Sequence, residues 1–130
     1  MTDHFIIEGS RITDISALYA ELNRVFMENE DWTLGASLDA LDDLLYGGYG
    51  RLLGVKRATV VWRDMDLSRT SLGREATREW LQQKLAQPGF GTDRISQQLQ
   101  ALEDGTGQTY FDIVLEIFAA HPNIHLQPSG

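Results

Sequence analysis

Apolar residues along the chain follow two spacings, one typical of buried strands and one typical of helices. Short apolar runs at residues 5–7, 58–62 and 123–127 are bounded by turn-forming or polar residues and predict three strands. Residues 128–130 are predicted to form a frayed tail. Because helical patterns separate the three runs, we expect parallel crossovers and an α/β fold with a small parallel sheet.

Helical spacing follows each of the first two runs and precedes the third. The first predicted helix has one continuous apolar stripe, and Thr13 is placed to cap its start. A short helix or turn is predicted over residues 63–71. Two helices with narrower apolar faces, around 76–85 and 95–102, are expected at the rim of the core, with Pro88 and Gly89 stopping the first of them. Thr109 and Pro122 bound a last, strongly apolar helix.

A helix over residues 38–46 has leucines on one side and aspartates on the other. Ser37 can cap its start, and Gly47 and Gly48 can end it. At about 100° per residue, one sector holds the leucines and the opposite sector holds an acidic face formed by Asp39, Asp43 and Tyr46, with Asp42 at its edge. Like charges four residues apart destabilise a helix by about 0.2–0.5 kcal/mol, so stability alone does not explain this arrangement.

Three interpretations of the acidic face are open from the residues themselves. It can be a solvated helix surface, with Asp39 favoured at the positive end of the helix dipole. It can be a carboxylate pair for acid–base chemistry or a divalent metal, although active sites are concave and this face is convex. It can also be a recognition surface whose carboxylates enter the basic pocket of a partner.

Composition narrows the class of protein. A length of 130 residues predicts one domain, and the absence of cysteine removes disulfides and thiolate chemistry. The formal net charge of −8 disfavours direct binding to nucleic acid and favours basic partners. Residues 1–4 lack the pattern of a signal peptide, and no apolar run approaches the length of a membrane span, so we expect a cytoplasmic protein with no membrane partner.

Motifs for catalysis, metals and cofactors are not found in the sequence. His4, His121 and His125 lack metal-ligand spacing, and His121 is expected to interact with a helix dipole. The glycine-rich residues 47–50 lack the lysine of a phosphate-binding loop and are expected to form an ordinary loop. We therefore expect no cofactor, no metal and no enzymatic activity.

Residues 35–45 read Gly-Ala-Ser-Leu-Asp-Ala-Leu-Asp-Asp-Leu-Leu. This stretch resembles the barstar family motif Gly-x-Asn-Leu-Asp-Ala-Leu-x-Asp-x-Leu. Residues 60–63, Val-Val-Trp-Arg, are similar to the family's apolar strand with its Trp-Arg ending, and the helix over residues 111–118 with the strand after it is also similar.

The resemblance implies a barstar-like α/β domain over residues 1–130, a three-stranded parallel sheet packed with helices, with residues 73–105 as an inserted helical pair. It implies an immunity-type protein that blocks a secreted, basic ribonuclease or ribonuclease toxin stoichiometrically before export. The helix and the preceding loop would plug the enzyme's active site, with Asp43 replacing a substrate phosphate and Asp39 pairing with a second cation. The implied contacts are Asp39, Asp42, Asp43, Trp32, Thr33, Leu34, Gly35 and Tyr46.

Several positions depart from the family pattern. Thr33 and Leu34 stand where the type member has two tyrosines, and Asp42 replaces an aromatic residue between the two aspartates. Ala120 stands where a glutamate contacts the nuclease, and Ser37 replaces the asparagine of the motif. An alternative function is therefore a non-inhibitory module of the same fold that binds another basic protein.

Overall fold

The computed structural model describes residues 3–87 and 91–130, which form a mixed α/β fold. The order of strands and helices agrees with the sequence pattern. Its elements are β1 (Asp3–Glu8), α1 (Ile15–Phe26), α2 (Leu38–Leu45), β2 (Ala58–Arg63), α3 (Met65–Ser71), α4 (Arg74–Leu85), α5 (Thr92–Glu103), α6 (Tyr110–Ala119) and β3 (Ile124–Ser129).

The three strands form one parallel sheet in the order β1-β2-β3. The central strand, β2, pairs Val60 with Phe5 on one side and with Leu126 on the other. The predicted parallel crossovers are thus confirmed, and the central strand is the most buried of the three, as its unbroken apolar sequence requires.

Two local predictions are wrong. Residues 128–129 belong to β3 instead of a frayed tail, because Pro128 and Ser129 continue the register with β2. An edge strand tolerates proline, since one side of its backbone needs no partner. The cap of α1 is Asp14, not Thr13: its carboxylate accepts a hydrogen bond of 2.7 Å from the Ala17 N–H. The predicted caps Ser37 and Thr109 are confirmed.

The core lies between the sheet and helices α1, α2 and α6, and Trp62 is at its centre. The Trp62 ring is fully buried and meets Phe111 and Phe118 of α6 edge-on, with ring centres 5.8 and 6.1 Å away. Its indole N–H donates a 2.9 Å hydrogen bond to Ser68. Helix α6, fixed in this way on β2, provides the surface on which α2 packs.

Helices α4 and α5 pack mainly on each other. Leu81, Ile95 and Leu102 are buried between or beside them but lie apart from the main core. This arrangement agrees with the predicted position at the rim of the core. The predicted stop at Pro88 and Gly89 lies outside the described residues.

Candidate protein-binding site

Helix α2 is attached firmly to the molecule by its leucines. Its start is capped by Ser37, whose hydroxyl accepts a 3.1 Å hydrogen bond from the Ala40 N–H. Gly47 follows the helix with φ of +81°, a backbone conformation that glycine adopts without strain. One side of the helix is buried, with Leu38 half-buried above the fully buried members of the set, which are Leu41, Leu44 and Leu45.

The acidic face predicted from the helical wheel lies at the surface. Asp39, Asp43 and Tyr46 are all exposed, and Tyr46 retains 72% of its accessible surface. Among the described residues, no cation forms an ion pair with Asp39 or Asp43. Two neighbouring, unpaired carboxylates on a fixed helix can accept charge-assisted hydrogen bonds from basic groups of another molecule.

The loop before α2 divides into exposed residues and one buried anchor. Trp32, Thr33 and Gly35 are exposed, but the Leu34 side chain is only 7% exposed and lies in the core. The Asn23 side chain holds the Leu34 backbone, accepting from its N–H at 2.7 Å and donating to its carbonyl at 3.5 Å. The buried Leu34 side chain thus holds the loop in place, and the part of Leu34 closest to the surface is its backbone.

Tyr49 is a member of this surface that sequence reasoning missed. Its ring lies 4.8 Å from the Trp32 ring, centre to centre. Burial, and then the negative charge of Asp43, raise the pKa of the Tyr49 phenol. The Gly50 N–H donates a 2.8 Å hydrogen bond to Glu30, which ties the glycine-rich loop to the segment before α2.

Gly50 is required by this loop for two reasons. Its φ is +70°, which side chains rarely adopt, and a Cβ atom there would lie 2.6 Å from the Phe26 carbonyl oxygen. The close approach fixes the Gly47–Gly50 loop, which the sequence predicted only as a loop, against the end of α1. Tyr49 is consequently held next to α2, and an aromatic residue flanked by glycines after an acidic helix was the signal available in the sequence.

On the other side of the acidic face, His121 joins α2 to the end of α6. Its ring is buried, with 4% of the residue exposed, and its Nε2 lies 2.7 Å from a carboxylate oxygen of Asp42. Because a carboxylate accepts hydrogen bonds, the imidazole N–H donates here. The Tyr46 ring meets the same imidazole edge-on at 4.6 Å. His121 thus lies at a helix end and also contacts a side chain. One oxygen of the Asp42 carboxylate is occupied by this hydrogen bond.

In the part of the chain that the structure describes, no cluster of His, Asp and Glu side chains could hold a metal ion. The same residues include no helix long and apolar enough to cross a bilayer. The acidic face includes Tyr46, whose ring contacts His121, and the segments before and after α2 bring Trp32 into contact with Tyr49. Charge combined with aromatic surface is common where proteins bind proteins.

Comparison with protein families gives one match. The family described as "Barstar (barnase inhibitor)" matches residues 2–88. The matched span contains strands β1 and β2 and helix α2 with the loop before it. It therefore includes every residue of the acidic face but not His121. No curated protein matches the chain.

Proposed function

The chain belongs to the barstar family, which is a family of inhibitors, and on this basis we propose that it inhibits a basic ribonuclease stoichiometrically. The inhibited enzyme is a secreted ribonuclease or ribonuclease toxin, and inhibition occurs in the cytoplasm before export. The acidic face and the exposed part of the loop before it enter the active site, so that substrate RNA is excluded.

The observation that carries this proposal is the exposure of Asp39 and Asp43 on one side of α2, where neither carboxylate forms an ion pair with a cation of the described residues. A ribonuclease active site is built to hold a phosphate among cationic side chains. A carboxylate at Asp43 occupies that position, and Asp39 pairs with a second cation near it. In a desolvated interface such charge-assisted hydrogen bonds are strong and dominate the binding energy.

The anchoring of α2 contributes to affinity because little has to be ordered on binding. Three buried leucines hold the helix, and the Asn23 side chain holds the loop before it. A preorganised surface avoids much of the entropy that a flexible segment loses on association. The net charge of −8 adds long-range attraction for a basic enzyme and raises the association rate at low salt.

The aromatic residues near the acidic face differ from those of the family's type member, which indicates a target enzyme other than barnase. In place of two tyrosines before the motif glycine, this chain presents Trp32 in tilted contact with Tyr49, and Tyr46 is exposed at the end of α2. In the proposed complex these rings contact the rim of the enzyme's active site. We infer that the cognate enzyme shares a cationic active site with barnase but has a differently shaped rim.

An activity titration tests the proposal. Barnase and the secreted basic ribonucleases of the source organism are titrated with the wild-type chain, and activity of the cognate enzyme falls to zero near one equivalent. Asp43→Ala raises the inhibitor concentration required by at least tenfold, since a buried interfacial charge loses its partner. Asp66→Ala is the control, because Asp66 is an exposed aspartate on α3, outside the acidic face.

Two results contradict the proposal. One is that the chain binds none of these ribonucleases, with capture of a different basic protein then favouring the alternative of a non-inhibitory binding module. The other is that Asp39→Ala and Asp43→Ala both inhibit as well as the wild type does, which would remove the acidic face from the interface.

A further inference from the structure

His121, which follows α6, contacts two side chains of α2 at the same time. Its Nε2 lies 2.7 Å from a carboxylate oxygen of Asp42, and its ring centre lies 4.6 Å from that of Tyr46, with the two ring planes at 83°. Only 4% of His121 is exposed, so the packing around the end of α6 holds the imidazole in place. His121 therefore fixes the positions of Asp42 and Tyr46 relative to each other.

Asp42 and Tyr46 both retain surface that another molecule can contact. The Asp42 side chain is 41% exposed, and His121 bonds to one of its two carboxylate oxygens. A neutral imidazole donates such a bond without cancelling the charge of the carboxylate, so the second oxygen can accept from a partner. Tyr46 is 72% exposed. It lies four positions after Asp42, with a backbone that is still helical, so the two side chains are neighbours on the surface.

A carboxylate and an aromatic ring that are fixed side by side suit a guanidinium group. The guanidinium is planar, donates hydrogen bonds to a carboxylate through its edge and stacks on an aromatic ring through its face. A lysine ammonium is a compact point charge and lacks this combination of edge and face. The net charge of −8 also favours a cationic group at this position over an anionic one.

We propose that His121 is a positioning residue, which aligns Asp42 and Tyr46 so that together they bind one arginine side chain of the ribonuclease. This inference rests on the proposed function and names a specificity-determining contact of the same interface. A ribonuclease with an apolar or acidic residue at that place leaves the Asp42 carboxylate desolvated without a cation. The contact therefore discriminates between basic enzymes that Asp39 and Asp43 alone would bind equally.

Dissociation constants for the ribonuclease that the activity titration identifies test this role. We expect Asp42→Asn, Tyr46→Ala and His121→Ala each to bind about tenfold more weakly than the wild type, because the first two remove a contact with the arginine and the third leaves both contacts unaligned. His121→Gln, whose amide can still donate to Asp42, should recover most of that loss. Asp66→Asn is the matched control, because Asp66 is an exposed aspartate on α3. Urea unfolding checks that each variant retains the fold.

Two double-mutant cycles separate positioning from a purely structural role. Within the chain, His121→Ala should weaken binding by about tenfold in the wild type but leave the dissociation constant unchanged when Asp42→Asn and Tyr46→Ala are already present. Across the interface, each arginine around the ribonuclease active site is changed to lysine, and one of these changes should abolish the effects of both Asp42→Asn and Tyr46→Ala.

Three results overturn the inference while the proposed function stands. The first is that His121→Ala weakens binding equally in both backgrounds, and the second is that no arginine change abolishes the two effects. The third is that Asp42→Asn and Tyr46→Ala bind as the wild type does while Asp43→Ala is defective. If the wild type itself inhibits no ribonuclease, the proposed function fails and this inference fails with it, which is a different result.

Discussion

The acidic face of α2 and the helix pair α4–α5 differ in whether their charged side chains form ion pairs. On α4 and α5, Arg78 contacts Glu75 and Glu103 at 2.7 Å each, and Arg74 lies 3.6 Å from Glu103. On α2, two carboxylates of like charge stand side by side, and no described cation pairs with either. The charges on α4 and α5 are thus paired within the chain, whereas the carboxylates of the well-anchored α2 are available to a partner.

Replacing one carboxylate of the acidic face is expected to have the largest effect, and that effect is on binding. Asp43→Asn should weaken binding to the cognate ribonuclease by about 2–5 kcal/mol, because a cation of the enzyme is left without its partner. The same change should raise the free energy of unfolding by about 0.2–0.5 kcal/mol, because it removes the repulsion from Asp39. Calorimetric binding and urea unfolding measure the two effects, and a loss of both affinity and stability would show that Asp43 is structural.

The second largest effect is expected at the contact between α2 and α6. A substitution there should lower the free energy of unfolding. His121→Ala removes the hydrogen bond to Asp42 and the ring contact with Tyr46, leaving a small cavity near the surface. We expect the free energy of unfolding to fall by about 1–3 kcal/mol, the usual range for breaking a buried hydrogen bond. His125→Ala, at an exposed histidine of β3, is the control and should leave the urea midpoint unchanged.

The smallest effect is expected in the paired region, and it depends on pH. A hydrogen bond from Arg78 lowers the pKa of the Glu103 carboxyl, more than solvent exclusion raises it. A carboxyl with a lowered pKa in the folded state stabilises the fold above the pKa of the unfolded chain, about 4.3, and that stabilisation is lost as pH falls through the folded-state value. Glu103→Gln should therefore flatten the fall in melting temperature below pH 5 while leaving ribonuclease inhibition at pH 7 unchanged.

Glu21 provides an internal reference for this measurement. Burial alone would raise the pKa of its carboxyl, but hydrogen bonds from Arg24 and from the Glu8 N–H outweigh burial and lower it. This ion pair is unaffected by Glu103→Gln, so part of the acid dependence should persist in the variant. Acid dependence identical to that of the wild type would mean that the α4–α5 ion pairs do not stabilise the fold.

Local patterns in the sequence were sufficient for most of the fold. The leucine spacing of α2, the cap at Ser37 and the apolar run of β2 each depend on neighbours within one element, and the structure agrees with them. The errors arose where a competing local choice or a distant strand decides. Asp14 caps α1 better than Thr13 does, and Pro128 becomes part of a strand only because β2 is present to pair with it.

The candidate site was harder to predict from the sequence than the fold, because the residues around the acidic face come from distant segments of the chain. The bond from His121 to Asp42 joins residues 79 positions apart, and no periodicity signals it. Tyr49 meets Trp32 only through the course of the glycine-rich loop. Leu34 was assigned to the surface by its place in a motif, but its side chain is in the core.

Hydrogen exchange of the chain, alone and with one equivalent of the cognate ribonuclease, tests the central claim most directly. The exchange of backbone amides reports which segments the enzyme covers. We predict that protection on binding is concentrated in residues 32–46, with none in α3. Protection centred on α3 or β3, with residues 32–46 unchanged, would contradict the assignment of the acidic face as the surface that binds the ribonuclease.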